Sequence, residues 1–176
     1  MERIRGGSIL YMAPEFRLRE FIQSFNFSLY VRGDLHPSDE SVQIIDLQNI
    51  PFADETFDMV ICNHMLEHVE SASAALRELH RVLKPGGRAI CQTPYASRLT
   101  ATLEDPLLQS PEDRLFFYGQ EDHVRLFGSD IGRIFQDAGF VGQLVPHEEI
   151  LPDVDPEVLG VNEKEPFFDF VRGPLK

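Results

Sequence analysis

Short apolar runs that end in a polar residue alternate along this chain with segments of helical periodicity. Short runs rich in β-branched and aromatic residues are typical of buried strands. Apolar residues three and four apart predict a helix with one buried face. Such alternation favours a mostly parallel sheet with helices on both faces. The sequence therefore predicts an α/β fold with a doubly wound sheet.

The predicted strands are spread over almost the whole chain. SILYM at 8–12 predicts the first strand, and a helical pattern with Leu18, Ile22 and Phe25 opens at Pro14 and Glu15. Further strands are predicted at FSLYVRGD ending at Asp34, VQIID ending at Asp46, TFDMVICN ending at Asn63, RAICQT ending at Thr93, FVGQLV at 140–145 and PFFDFVR at 166–172.

The strongest helical pattern runs from Ser71 to the sequence KPGG at 84–87. A cation suits the C-terminus of a helix, proline cannot continue it, and glycine permits the chain to reverse, so we expect this helix to end at Lys84. A further helix is predicted with Ser129 as its N-cap and Gly139 as its end. The pattern thus predicts a helix before and after the fifth strand.

The chain has 176 residues and an excess of acidic side chains. Its 16 basic and 29 acidic residues give a formal net charge of -13, which repels phosphodiester backbones and acidic membrane surfaces. Nucleic acids and membranes are therefore not expected as partners. The length suits one domain over residues 1–176, with an insertion containing helical pieces at 99–119. An acidic segment at 147–165 is either a functional cover or a mobile loop.

Cysteine content and hydropathy indicate a cytoplasmic protein. Cys62 and Cys91 lie in apolar, strand-like runs without the spacing of a disulfide framework, so we expect reduced thiols in the core. No apolar run approaches the roughly 20 residues that span a bilayer, and the N-terminal residues lack an extended apolar signal segment.

Polar residues follow the ends of the predicted strands. In doubly wound sheets the carboxyl ends of the parallel strands meet at one edge, and ligands bind beyond that edge. We therefore expect a ligand site built from the residues that follow five strands, namely Ala13 to Glu15, Asp34, Asp46, Asn63 with His64, and Thr93 to Tyr95.

Residues 64–68 spell H-x-x-E-H, the inverted zinc-peptidase signature. That motif binds zinc only if both histidines lie on one face of a continuous helix. Here His64 directly follows a predicted strand, and the strong helix begins only near Ser71, so the two histidines straddle a turn. The sequence therefore predicts no metal site.

Several short motifs follow one another in order between residues 42 and 93. They are Asp46, Ile50-Pro51-Phe52, Phe57-Asp58, Leu66-Glu67-His68-Val69 and Lys84-Pro85-Gly86-Gly87. This series resembles the class I S-adenosylmethionine-dependent methyltransferases, particularly the small-molecule group that includes the ubiquinone-biosynthesis C-methyltransferases. The segment at 119–140 is also similar to a later part of that family.

The resemblance implies a Rossmann-like doubly wound sheet of about seven strands, mostly parallel with the last strand antiparallel. It implies S-adenosylmethionine as cofactor, S-adenosylhomocysteine as product and a small-molecule acceptor. The first predicted strand begins at Ser8, so the helices that precede it in the family, and often cover the cofactor, are expected to be largely absent. The acidic segment or a second subunit in a homodimer would then supply the cover.

The chain departs from the family at the cofactor loop. There the family usually has three glycines after an acidic residue, whereas this chain has Tyr11-Met12-Ala13-Pro14-Glu15-Phe16-Arg17. A glutamate in that loop repels a pyrophosphate but attracts the ammonium and sulfonium of S-adenosylmethionine, so the loop argues more strongly against NAD. The rival interpretation is a non-catalytic methyltransferase-like binding or scaffold protein that has lost cofactor affinity.

The resemblance also assigns roles to the residues at the strand ends. Asp34 ends the second strand, where a carboxylate can accept hydrogen bonds from both ribose hydroxyls. The further cofactor-binding residues are expected to be Asp46 and Leu47 beside the adenine, Ala13, Pro14 and Glu15 beside the amino-acid half, and Asn63 and His64 beside the methionine portion and the acceptor.

Methyl transfer from a sulfonium is an in-line displacement, so a protein mainly aligns the two reactants and excludes water. An acceptor hydroxyl, phenol or acidic carbon also needs a base, and histidine titrates near neutrality. The candidate catalytic residues are His64, His68 and His123, with no preference among them. The acceptor, and whether its methylated atom is O, N, S or C, stays open.

Overall fold

The computed structural model describes residues 6–153, 155, 162 and 165–174, and its centre is a seven-stranded sheet. The strands are β1 (Ser8–Met12), β2 (Leu29–Asp34), β3 (Gln43–Ile44), β4 (Phe57–Ile61), β5 (Leu83–Ile90), β6 (Phe140–Val145) and β7 (Phe167–Arg172). The helices are α1 (Phe16–Gln23), α2 (Ala72–Val82), α3 (Pro111–Tyr118), α4 (Ile131–Asp137) and α5 (His147–Ile150).

The strands lie in the order β3-β2-β1-β4-β5-β7-β6. Strands β1 to β5 pair in parallel, whereas β7 is antiparallel to both β5 and β6. The predicted α/β class, the mostly parallel sheet and the antiparallel last strand are confirmed. The chain runs outward from β1 to β3 and then returns to the other side of β1, so the strand order reverses between β1 and β4. Ligands of doubly wound sheets bind at such a reversal.

Helices cover both faces of the sheet. Ile22 of α1 packs with Tyr11 and Ile61 on one face. The apolar stripe predicted for α2 is buried on the other face, where Ala75, Leu76 and Leu79 join the main core. Burying a leucine side chain of this kind contributes about 1.5–3 kcal/mol, so α2 is held by packing as well as by its cap. That cap is Ser71, whose Oγ accepts the Ala74 N–H at 3.2 Å.

Four predicted boundaries were wrong. Helix α1 begins at Phe16 rather than Pro14, because Glu15 stays extended and acts as the N-cap. Strand β3 has only two residues and ends before Asp46. Helix α4 has Asp130, not Ser129, at its N-cap; the Ser129 hydroxyl instead donates to the Thr100 carbonyl.

The fourth difference concerns KPGG, which lies inside β5 rather than between a helix and a strand. Helix α2 ends at Val82, and Leu83 already pairs with Phe57 of β4. The next pair is Arg88 with Met59, so residues 84–87 bulge opposite Asp58 alone. Gly86 has φ +74°, a conformation that side chains disfavour, which explains why the bulge needs glycine.

The predicted insertion contains the helix α3 and is fastened to the rest of the molecule by an isolated bridge from Leu103 to Leu126. The acidic segment begins with the single turn α5, and most of its residues from 154 to 164 lie outside the described part of the chain. None of the helices that the structure describes has the length and apolar character needed to cross a bilayer.

Candidate active site

The loop between β1 and α1 has no glycine, and its conformation is held by backbone and side-chain hydrogen bonds. Ala13 has φ +44°, and its N–H donates to the Gly33 carbonyl at 2.8 Å. The Glu15 N–H donates to the phenol oxygen of Tyr11 at 3.0 Å. Burial raises the pKa of Tyr11 to about 12, so the phenol is neutral at physiological pH. The alanine thus adopts a conformation that glycine normally supplies.

Asp34 lies at the end of β2, beside this loop. Its neighbour Gly33 leaves no room for a side chain, since a Cβ there would come within 2.6 Å of Ile45 Cδ1 and 2.8 Å of Met12 Sδ. One carboxylate oxygen of Asp34 accepts the His36 N–H at 2.9 Å. Among the described residues, no hydrogen bond uses its other oxygen. Asp34 therefore keeps an acceptor for a ligand.

Asp46 and Leu47 follow β3 in a tight turn. The Asp46 carboxylate accepts the Gln48 N–H at 2.8 Å, and its carbonyl accepts the Asn49 N–H at 3.0 Å. The side chain of Leu47 is buried in the main core. The turn thus leaves Asp46 partly exposed. Leu47 has almost no exposed side-chain surface with which to make the predicted apolar contact with a ligand.

Asn63 and His64 connect three parts of the sheet edge. The Asn63 amide oxygen accepts the Gln92 N–H at 3.2 Å, and its amide nitrogen lies 3.5 Å from Glu15 Oε1. His64 has φ +53°, and its N–H donates to the Gln92 carbonyl at 2.7 Å. The loop after β1 and the exits of β4 and β5 therefore meet at one edge, as expected.

The H-x-x-E-H segment forms turns rather than a helix, as the sequence predicts. The His64 side chain is 61% exposed, with Nδ1 at 3.6 Å from Glu67 Oε1. His68 turns elsewhere, with Nδ1 at 3.2 Å from Asp122 Oδ2 and its ring edge-on to His123 at 4.7 Å. The two histidines of the motif therefore do not point at a common ligand.

His68 and His123 meet beside the buried carboxylate of Glu67. His123 is itself buried, and its Nδ1 lies 3.1 Å from the Tyr118 carbonyl oxygen. Glu67 Oε2 accepts the Thr93 hydroxyl at 2.8 Å. The other oxygen, Oε1, has no hydrogen-bond partner among the described residues. Glu67, His68 and His123 thus bring three possible ligand atoms within 4.8 Å of one another, and Glu67 carries the unsatisfied oxygen.

Arg125 is a buried residue whose position the sequence reasoning missed. Its guanidinium donates to the carbonyls of Leu66 and Val69, both at 2.6 Å, and to that of Glu70 at 2.8 Å. It also forms two hydrogen bonds of 3.0 Å with the carboxylate of Glu104. Arg125 therefore fixes the turn that carries Glu67 and His68. The available signal was an arginine inside the apolar run VRLF.

Known proteins resemble this chain in sequence and in fold. A family model described as a methyltransferase domain matches residues 24–91. Over 59 residues the chain is 46% identical to a ubiquinone/menaquinone biosynthesis C-methyltransferase of Desulfotalea psychrophila, a segment that covers 32% of this chain and 24% of that protein. The resemblance carried by the sequence motifs is confirmed.

Two solved structures share the fold over nearly the whole chain. The YcgJ protein from Bacillus subtilis has a TM-score of 0.61 at 18% identity, covering 97% of this chain and 94% of that one. An S-adenosylmethionine-dependent methyltransferase from Mesorhizobium loti has a TM-score of 0.58 at 15% identity, covering 97% and 92%. The sequence matches to curated relatives cover only 21 to 35% of those proteins' own lengths.

Proposed function

We propose that this chain, which belongs by its motifs and fold to the class I S-adenosylmethionine-dependent methyltransferases, transfers a methyl group from S-adenosylmethionine to a small-molecule acceptor. The observation that carries the proposal is the carboxylate of Asp34 at the end of β2, next to the point where the strand order reverses. Its unused oxygen can accept hydrogen bonds from ribose hydroxyls of the cofactor.

The altered loop supports this cofactor better than a dinucleotide. Glu15 lies just before α1, and the one hydrogen bond of its carboxylate that we find among the described residues is the 3.5 Å contact with Asn63. A carboxylate in that position attracts the ammonium group of a bound amino acid and repels a pyrophosphate. The Glu15 N–H is taken by Tyr11, so the side chain, not that amide, would meet the amino-acid half.

The proposed reaction needs mainly alignment from the protein. S-adenosylmethionine supplies the methyl group on a sulfonium, ready for in-line attack by the acceptor. Asn63 is held between Glu15 and Gln92 and would orient the methionine portion. His64 follows Asn63 with an exposed imidazole, so of the three candidate histidines it is best placed to take a proton from the acceptor.

Calorimetry with the purified chain tests the proposal. S-adenosylhomocysteine is titrated into the parent protein, into Asp34→Ala and into Asp137→Ala, a control that removes an exposed aspartate of α4. We expect a Kd in the micromolar range, about 8 kcal/mol, with binding at least about tenfold weaker for Asp34→Ala and unchanged for Asp137→Ala. NADH should not bind.

Two results would contradict this proposal. Absence of S-adenosylhomocysteine binding at millimolar concentration would mean that the loop around Ala13 and Glu15 no longer accepts the cofactor, which favours the scaffold interpretation. Equal affinity in the parent and in Asp34→Ala would show that the cofactor does not depend on the end of β2. Far-UV circular dichroism of each variant verifies that the fold is retained.

A further inference from the structure

We propose that Glu67, His68 and His123 form a binding site for a divalent transition-metal ion, for which Zn²⁺ is the best-suited probe. One ligand atom from each of these side chains lies within 4.8 Å of the others. Two imidazoles with one carboxylate are a ligand set that zinc accepts, with a further position left for water or a substrate. The site is distinct from the H-x-x-E-H pair, since His64 is not in this group.

The spacing of the three ligand atoms requires only a small closure. Zinc ligands lie about 2.0–2.2 Å from the ion, so neighbouring ligand atoms in a tetrahedral site are about 3.4 Å apart. Atoms now within 4.8 Å of one another would therefore approach each other by up to about 1.4 Å. His68 is on a surface turn and can supply most of that movement, since its side chain is 31% exposed.

Both histidines already have the second partner that metal-bound histidines require. The Nδ1 atom of His68 lies 3.2 Å from the Asp122 carboxylate, and that of His123 lies 3.1 Å from the Tyr118 carbonyl. If these contacts hold the proton on Nδ1, Nε2 is the atom of each ring that carries a lone pair for a metal ion. Carboxylate and carbonyl partners of this kind fix the tautomer and orientation of metal-binding imidazoles.

The unsatisfied oxygen of Glu67 is an independent indication of a ligand. This side chain is 1% exposed, and its Oε1 has no hydrogen-bond partner among the described residues, the contact with His64 Nδ1 being 3.6 Å long. A buried carboxylate oxygen without a partner is costly, because it has lost its hydration. A bound cation removes that cost, while Thr93 continues to hold Oε2.

The surroundings of the site favour a cation and give it a route. His68 lines a cavity of about 940 Å³ that is also lined by Glu70, Glu104 and Asp105. Carboxylates around an entrance raise the local concentration of cations. Two arginines oppose this effect: Arg125 forms an ion pair with Glu104, and Arg114 also lines the cavity, so one of the three carboxylates remains uncompensated.

Zinc titration of the metal-free, tag-free chain tests the site and needs no cofactor, so its outcome is separate from that of the methyl-transfer proposal. Zinc affinity is measured in competition with a chromophoric chelator, for the parent and for His68→Gln and Glu67→Gln. The matched control is His36→Gln, which removes an exposed histidine, and His64→Gln tests whether the other histidine of H-x-x-E-H binds the ion instead. We expect one zinc per chain, at least tenfold weaker binding in the first two variants, unchanged binding in His36→Gln and retained binding in His64→Gln.

Thermal unfolding in chelator and in zinc separates metal binding from a structural role of the same residues. The His68 side chain is partly exposed, so in chelator the His68→Gln variant should unfold near the Tm of the parent. Zinc should raise the Tm of the parent and of His36→Gln but not of His68→Gln. The proposal fails if the parent binds zinc no better than His68→Gln, or if His64→Gln abolishes binding while Glu67→Gln does not.

Discussion

At the scale of single residues, His80 shows how burial creates a pH dependence away from the active site. Its imidazole is buried edge-on against Phe140, with Nε2 at 3.2 Å from the Gly173 carbonyl. Burial lowers the pKa of His80 below its ordinary value, and the positive charge of Arg172 acts in the same direction. At a pH between the two pKa values, His80 is therefore neutral in the folded protein and protonated in the unfolded chain.

This difference sets the direction of the pH effect on stability. The contribution of neutral His80 is complete above its unfolded pKa of about 6.5 and is lost as the pH falls through the lower folded value. We expect the free energy of unfolding to fall between about pH 7 and pH 5 more steeply in the parent than in His80→Gln. Urea denaturation followed by circular dichroism measures both slopes, with His36→Gln as the exposed control. Identical slopes for the parent and His80→Gln would exclude His80 as the source.

The sequence predicted individual residues well where their place depends on the end of a strand. Asp34 and Asn63 could be assigned to the sheet edge because polar residues directly after buried strands have few other places to lie. The meeting of Glu67, His68 and His123 could not be predicted, since it depends on how a segment more than fifty residues later folds back over the turn. The sequence therefore marked His123 as a catalytic candidate but did not reveal that it lies beside Glu67 and His68 of the H-x-x-E-H motif.

At the scale of elements, the β1–α1 loop is defined by the backbone conformation of Ala13. A φ of +44° costs a residue with a side chain about 1–2 kcal/mol, whereas glycine adopts it freely. Replacing Ala13 by glycine relieves that cost. Glycine also gives the unfolded chain more conformational freedom, which lowers the free energy of unfolding by about 0.4–1 kcal/mol. We expect Ala13→Gly to stabilise the protein by roughly 0.5 kcal/mol.

The matched control is Ala53→Gly, at an exposed position where φ is not positive. Only the entropic penalty applies there, so this variant should be destabilised by about 0.4–1 kcal/mol. Urea denaturation of the three proteins checks both signs. A loss of stability in Ala13→Gly equal to that in Ala53→Gly would mean that the loop carries no conformational strain.

Elements whose pattern is local were predictable, and those whose limits depend on neighbours were not. The stripe of α2 and its Ser71 cap lie within a dozen residues, so the 3.6-residue period identifies them directly. The sequence KPGG predicts that a helix ends, but it does not reveal that Leu83 has already paired with Phe57. Strand β3 is short for the same reason, because only Gln43 and Ile44 find partners on β2.

At the scale of the whole molecule, Arg125 joins parts of the chain that are far apart in sequence. Its hydrogen bonds reach carbonyls 55 to 59 residues earlier. Removing the guanidinium leaves one buried and two partly buried carbonyl acceptors without donors, so Arg125→Ala should cost about 3–5 kcal/mol of unfolding free energy. Arg125→Lys should recover less than half, because an ammonium cannot reproduce the planar set of donors.

The control for this change is Arg133→Ala on α4. Arg133 is 81% exposed and pairs with Asp137 one turn later, an interaction worth at most about 0.5 kcal/mol. Chemical denaturation of all four proteins gives the comparison. A cost for Arg125→Ala as small as that for Arg133→Ala would show that water replaces the guanidinium and that the turn is held by other contacts.

The position of β7 has a consequence for the order in which the protein forms during synthesis. Among the strands that the structure describes, β6 pairs with β7 alone, and β7 lies between it and β5. Until residues 167–172 leave the ribosome, β6 has no neighbour in the sheet and the outer edge of β5 is open to other chains. Domains generally fold as units during synthesis, so this sheet stays incomplete, and the nascent chain stays open to aggregation, until β7 inserts between β5 and β6.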